Sequence, residues 1–81
     1  MMVLSYRELL GDGKRRRIKA TITTDHALSS YGQPVIVLDD GQPLNAESWA
    51  LLGYQVVKAT KAERTLLAKW LAVLSLLGGA Q

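Results

Sequence analysis

The spacing of apolar residues along the chain changes several times, and each change marks an element. Near the start, Leu4, Tyr6 and Leu10 fall on one face of an extended segment, and Gly11-Asp12-Gly13 then carries a tight-turn signal. Ile18, Ala20 and Ile22 alternate with Lys19, Thr21 and Thr23, the period of a half-buried strand. These two stretches predict a hairpin across Gly11 and Gly13. The same opening segment also holds Ser5-x-x-Glu8 ahead of Leu9 and Leu10, a capping box for a helical turn or two, so a helix competes with the first strand. Thr24-Asp25 can cap a very short helix that runs through Ser30 and ends at Gly32. From Pro34 to Leu38 a compact β-branched run predicts a buried strand, and Asp39-Asp40-Gly41 turns the chain. Asn45 is an N-cap for a short helix containing Trp49, Leu51 and Leu52, with Gly53 just past its end. Tyr54 to Ala59 predicts another strand.

The longest periodic segment comes last. Thr60-x-x-Glu63 is a second capping box, after which Leu66, Trp70, Val73 and Leu77 recur at helical spacing, with Leu67, Leu71 and Leu74 as an adjacent stripe. Gly78-Gly79 ends it. The order β-β-(α)-β-α-β-α indicates an α+β domain: a small sheet of about three to five strands, one or two short helices, and the C-terminal amphipathic helix packed across the sheet. With 81 residues and no internal repeat or linker, the whole chain is expected to be one domain, 1–81.

Size then becomes a constraint. So short a chain makes a small core, and small cores are usually supplemented by disulfides, a metal or a partner. There is no cysteine and one histidine, so disulfides and thiolate zinc sites are excluded and no metal or organic cofactor is expected. Self-association remains. The longest uncharged apolar run, Trp70 to Leu77, is far below the roughly 20 residues that span a bilayer, and no signal-peptide layout opens the chain. A cytoplasmic protein without a membrane partner is the expectation.

Charge is unevenly placed. Residues 1–20 carry six basic side chains against Glu8 and Asp12, residues 21–57 carry four acids and no Lys or Arg, and residues 58–81 carry Lys58, Lys61, Arg64 and Lys69 against Glu63. The net charge is +3. The densest feature is Lys14-Arg15-Arg16-Arg17-Ile18-Lys19. Cations in series can follow a phosphate track, so Lys14, Arg15, Arg16, Arg17 and Lys19 are candidate nucleic-acid ligands. In a strand, Arg15 and Arg17 face one way and Lys14 and Arg16 the other, so one surface can use only part of the run. The plainer reading, which the pattern favours, is an edge strand whose charges block pairing with another sheet.

Two further clusters bear on chemistry. Thr23 to Tyr31 gathers hydroxyls, Asp25 and His26, but side chains adjacent in sequence diverge and no serine sits in a nucleophile-elbow pattern. A loop whose polar side chains cap the backbone is expected there. Asp39-Asp40 follows a predicted buried strand, a place where α/β sheets often bind ligands. With Val35-Ile36-Val37-Leu38 before it, Pro43-Leu44 after it and Gly53-Tyr54-Gln55-Val56-Val57-Lys58-Ala59 beyond the short helix, this pair resembles the opening of a response-regulator receiver domain. The resemblance implies a parallel, right-handed β-α-β unit and an acidic pair of the kind that helps hold magnesium in that family. The connecting helix is more than a turn too short, and no later strand supplies a phosphate-accepting aspartate, so the family's function is not carried over. Gly32-Gln33-Pro34-Val35-Ile36-Val37 and Gly41-Gln42-Pro43-Leu44 resemble the hairpin of the Phd-type antitoxins, small dimeric DNA-binding repressors, without that family's long preceding helix.

Trp49 and Trp70 are expected in the core or an interface. After Lys69 the last helix carries no charge, and its apolar arc is broader than a one-sided surface helix needs. The leading functional reading is a non-catalytic binding or regulatory module that self-associates through Leu66, Trp70, Val73, Leu74 and Leu77. Its partner is another copy of the chain or another protein. The second reading is nucleic-acid binding through residues 14–19. The third is a small enzyme or ligand-binding domain using Asp39, Asp40 and His26, ranked last because no acid–base pair has a defensible spacing.

Overall fold

The computed structural model describes the backbone of residues 1–27, 29 and 32–79, and side chains as far as residue 73. The elements are β1 (Met2–Arg7), β2 (Arg15–Thr23), β3 (Val35–Leu38), α1 (Ala46–Leu51), β4 (Gln55–Lys58) and α2 (Lys61–Gly79). They form a small α+β fold: one four-stranded antiparallel sheet, in the order β3-β2-β1-β4, with two helices.

The first hairpin forms as expected. Met2 pairs with Ala20, Leu4 with Ile18 and Tyr6 with Arg16. The strand stops at Arg7, so Leu10 does not continue the face of Leu4 and Tyr6 but stands 81% exposed in the turn. Gly11 and Gly13 hold positive φ angles of 87° and 69°, which side chains with a Cβ rarely adopt. Instead of the optional short helix after Thr24, residues 24–27 run as bends and a turn, and Asp25 N–H donates to Thr23 Oγ1 at 3.0 Å. Ser29 N–H donates to His26 O at 2.9 Å, and Leu28, Ser30 and Tyr31 lie outside the described residues.

β3 turns back on itself. Leu38 N–H donates to Gln42 O and Leu44 N–H donates to Ile36 O, with Val37 opposite Pro43, so residues 42–44 flank the outer side of β3. The local hairpin read between Gly32 and Leu44 is therefore present. The parallel β-α-β unit is not. β3 and β4 lie on opposite edges of the sheet with β2 and β1 between them. Residues 39–54 are long enough for a crossover, but residues 42–44 fold back along the outer side of β3, α1 has only six residues, and the places between the two strands are taken by β2 and β1.

Met2, Leu4, Ala20, Ile22 and Ile36 fill one face of the sheet and are buried with Leu44, Tyr54, Leu67 and Trp70. Tyr6, Ile18, Leu38, Trp49, Val56 and Leu66 pack around them. Four aromatic rings join the helices to the sheet in series: Tyr6 to Tyr54 at 5.4 Å, Tyr54 to Trp49 at 5.8 Å, and Trp49 edge-on to Trp70 at 5.1 Å. Burial raises the pKa of the Tyr54 phenol, with Tyr6 and Asp40 adding to the effect. Within α2 the buried stripe is Leu67 and Trp70, with Leu66 half-buried, while Leu71 stays 36% exposed. Leu74 and Leu77 belong to side chains outside the described set. Among the described residues no helix is long and apolar enough to cross a membrane.

Of the cap signals in the sequence, those at Asn45 and Thr60 are made, while Ser5 lies in β1 and heads no helix. Asn45 Oδ1 accepts from Ser48 N–H at 2.8 Å. Thr60 N–H donates to Glu63 Oε1 at 2.8 Å while Glu63 N–H donates to Thr60 Oγ1 at 3.2 Å. The Met1 ammonium reaches Glu63 Oε2 at 2.8 Å. That ammonium, and then the Thr60 N–H, lower the Glu63 pKa from its ordinary value of 4.5. A carboxylate with a depressed folded pKa stabilises the fold fully above its unfolded value, and that contribution disappears as pH falls through the folded value. Urea unfolding of the native chain and Glu63→Gln should therefore differ most near neutral pH and converge below pH 4.5. A stability gap that stays constant down to pH 3 would show that the ionised carboxylate is not the stabilising group.

Candidate nucleic-acid interface

The two helices pack on one face of the sheet, and this decides what the other face must be. Strand register assigns its members. Arg7 lies opposite Arg15; Ser5 lies between Arg17 and Gln55; Val3 lies between Lys19 and Lys58; Thr21 and Thr23 lie opposite Val37 and Val35. A bulge in β4 between the partners of Val3 and Leu4 adds Val57 to this surface. The face thus presents Arg7, Arg15, Arg17, Lys19 and Lys58, and no strand contains a single Asp or Glu.

The basic run is divided as the strand period requires. Arg15, Arg17 and Lys19 share the open face. Lys14 and Arg16 do not, and the nearby acids are spent on them: Arg16 Nε binds Glu8 Oε2 at 2.8 Å, and Asp12 lies 3.9 Å from both the Arg16 guanidinium and Lys14 Nζ. Glu8 and Asp12 therefore neutralise cations off the face and leave the face itself unpaired. Nor is β2 simply an edge strand. β3 covers Ala20 to Thr23 and β1 covers the other side from Arg15 to Ala20, so residues 15–19 pair with β1 alone and residues 21–23 with β3 alone, while Asp39 N–H, just past β3, also donates to Lys19 O at 2.9 Å. Protection of an edge accounts for the unflanked end of β2 and for Lys58 on the edge strand β4, but not for Arg7 on the interior strand β1.

Arg15 is held differently from its neighbours. Its guanidinium donates to Ser5 Oγ at 2.9 and 3.2 Å, to Ser5 O at 3.1 Å and to Gly53 O at 2.7 Å. Lying across β1, it ties β2 to the α1–β4 turn. The turn delivers that carbonyl because Gly53 takes φ 59° just past the end of α1. The same clamp draws Arg15 away from Arg7, whose like charge directly opposite would otherwise repel it. Among the described residues, Arg7, Arg17, Lys19 and Lys58 make no ion pair or side-chain hydrogen bond, and all four are exposed. Ser5, Arg15, Arg16, Arg17, Gln55 and Val57 line a shallow depression of about 390 Å³.

Sequence reasoning found Arg15, Arg17 and Lys19 but did not join them to Arg7, Lys58, Ser5 and Gln55. They come from separate strands, and only the β1–β2 and β1–β4 registers bring them together. The other candidates are not assembled. Asp39 and Asp40 sit in the exposed turn after β3, where Asp40 Oδ1 caps Gln42 N–H at 2.9 Å. His26 follows the Thr23 end of β2, opposite the start of β3, so the strand's length separates it from the acidic pair. Among the described residues no group of three His, Asp or Glu side chains could hold a metal. Comparison with known proteins finds no family model, no curated protein and no solved structure that matches the chain.

The two kinds of cation are separable by stability. Arg15→Ala should cost about 1–3 kcal/mol, since it removes charge-assisted bonds and leaves a buried Ser5 hydroxyl unpaired. Arg17→Ala should change stability by no more than about 0.5 kcal/mol. Urea denaturation of both variants checks this, and equal costs would contradict the distinction.

Proposed function

We propose that the protein is a non-catalytic nucleic-acid-binding module that uses the open face of its sheet. One observation carries the reading: five cations and no acid on the strands of a face that no described element covers. Such a face repels itself at some cost in stability, and a polyanion relieves that repulsion by releasing its own counterions. A membrane surface fits less well, because the face itself offers for insertion only Val3, Val35, Val37 and Val57, while the exposed Leu9 and Leu10 belong to the β1–β2 turn at its end. The reading also agrees with the cytoplasmic location expected from the sequence.

Recognition through phosphates is electrostatic and indifferent to base sequence. Arg15 is engaged internally, which leaves Arg7, Arg17, Lys19 and Lys58 for phosphates. Four contacts on duplex DNA give a log K against log salt slope of about −3 to −4. Fluorescence anisotropy across a salt series should return that slope, and Arg17→Ala with Lys19→Ala should flatten it by roughly one unit for each lost contact. Lys14→Ala with Arg16→Ala should leave it almost unchanged. If the second pair of substitutions mattered as much as the first, binding would follow the linear run and not the face.

Self-association through α2 is a second reading, favoured by Leu71, which remains 36% exposed beside the buried Leu67 and Trp70. Sedimentation equilibrium should then give a mass above the 8.9 kDa of one chain, and Leu71→Lys should lower it. A monomer throughout the micromolar range would remove this reading and leave the cationic face untouched.

A further inference from the structure

We infer that the β1–β2 turn is an apolar wedge: on a bound duplex, Leu9 and Leu10 enter between base pairs from the minor groove and bend the DNA. The inference rests on the nucleic-acid reading above and adds to it a second contact of different chemistry. Leu9 and Leu10 are 58% and 81% exposed, and neither belongs to the core. They stand at the far end of the hairpin. Glu8 N–H donates to Lys14 O at 3.2 Å, so residues 9–13 form the loop beyond the last backbone bond between the two strands. The loop is shaped from within, because Gly11 and Gly13 take positive φ angles and Lys14 N–H donates to Asp12 Oδ1 at 2.9 Å. The end of α1 arrives at the same place. Arg7 N–H donates to Leu52 O at 2.8 Å, and the Arg15 guanidinium donates to Gly53 O at 2.7 Å. Leu52 packs against the core while its neighbour Leu51 is exposed. One end of the sheet thus gathers three of the six large apolar residues that stand exposed among the described residues.

Charge and shape select what meets these leucines. Arg7, Lys14, Arg15 and Arg16 surround the turn against only Glu8 and Asp12, and both acids are engaged by Arg16 and Lys14. A second copy docked end to end would set the remaining cations against their own kind. A bilayer is flat, so it meets either the open face or the end of that face, and the cations continue from Arg7 along the face to Lys19 and Lys58. A duplex meets both, with its phosphates along the face and its groove beside the tip. In a minor groove about 6 Å wide, inserted leucine side chains unstack a base step and kink the duplex by about 20–90°. Arg7, unpaired at the end of β1 and two residues before Leu9, joins the electrostatic contact to the apolar one.

The test compares the native chain with Leu9→Ser plus Leu10→Ser, which removes the apolar tip, changes no charge and touches no core residue. The probe is a 20-base-pair duplex with a fluorescence donor and acceptor at its ends and 2-aminopurine at a central TA step, a step that unstacks easily. With the native chain, energy transfer between the ends should rise as the duplex bends, and 2-aminopurine should brighten as it loses its stacking. A duplex with a central mismatch should bind about tenfold more tightly than the matched one, since its step is already loosened. The double substitution should abolish bending, brightening and mismatch preference while circular dichroism stays native. It should leave the slope of log K against log salt unchanged, because that slope counts phosphate contacts. Native-chain binding without bending, or bending that the double variant retains, would overturn the wedge and leave the nucleic-acid reading standing. Absence of binding to either duplex at low salt would overturn the wedge and that reading together. Phosphatidylserine vesicles bound in place of DNA, and only by the chain with intact leucines, would assign the tip to a lipid surface and overturn both as well.

Discussion

The rest of the structure depends on a shortage: the chain has apolar surface enough to cover one side of its sheet. Met2, Leu4, Ala20, Ile22 and Ile36 bury one face beneath Leu67 and Trp70, and the aromatic series from Tyr6 to Trp70 fastens both helices to that same side. No described element is left to cover the reverse, so its side chains must tolerate water. Charge and hydroxyl groups at Arg17, Lys19, Thr21 and Lys58 meet that requirement, and the surface they make is also the most distinctive chemistry of the molecule. Core packing and candidate site are two consequences of one alternation along the same strands.

Within the face, position matters more than composition. Arg15 and Arg17 are one turn of the pleat apart, yet Arg15 is bound to Ser5 and Gly53 while Arg17 is unpaired. Glu8 and Asp12, close in sequence to the basic run, are drawn to Arg16 and Lys14 on the other side. The net charge of residues 1–20 therefore sits on the open face, while Lys14 and Arg16 are balanced by Glu8 and Asp12. A polyanion would meet a surface on which one arginine is pre-set by the fold and the others keep their freedom.

Legibility followed the range of the interactions involved. The caps at Asn45 and Thr60, the turn glycines and the long final helix were all readable, because each rests on groups within a few residues of one another. So was the division of the basic run, since the strand period alone sets it. Over the described residues 24–27 the cap signal at Thr24-Asp25 gives bends and a turn, because it is not followed there by enough apolar periodicity to hold a helix against the sheet. The parallel unit failed because Val35–Leu38 and Gln55–Lys58 look like consecutive strands around a helix, and nothing local shows that β1 and β2 come between them.

What the amino-acid sequence determined by itself was the set of elements, their termini and the sidedness of each strand, all of which depend on periodicity and short-range hydrogen bonding. What only the tertiary structure decided was which sides meet. Arg7 and Lys58 stand 51 positions apart, and they join Arg15, Arg17 and Lys19 because Val3 pairs with Lys19 on one flank and Lys58 on the other. Strand partners are chosen by the fit of side chains that are distant in sequence around a shared core, and a pattern read along one strand carries no record of its neighbour.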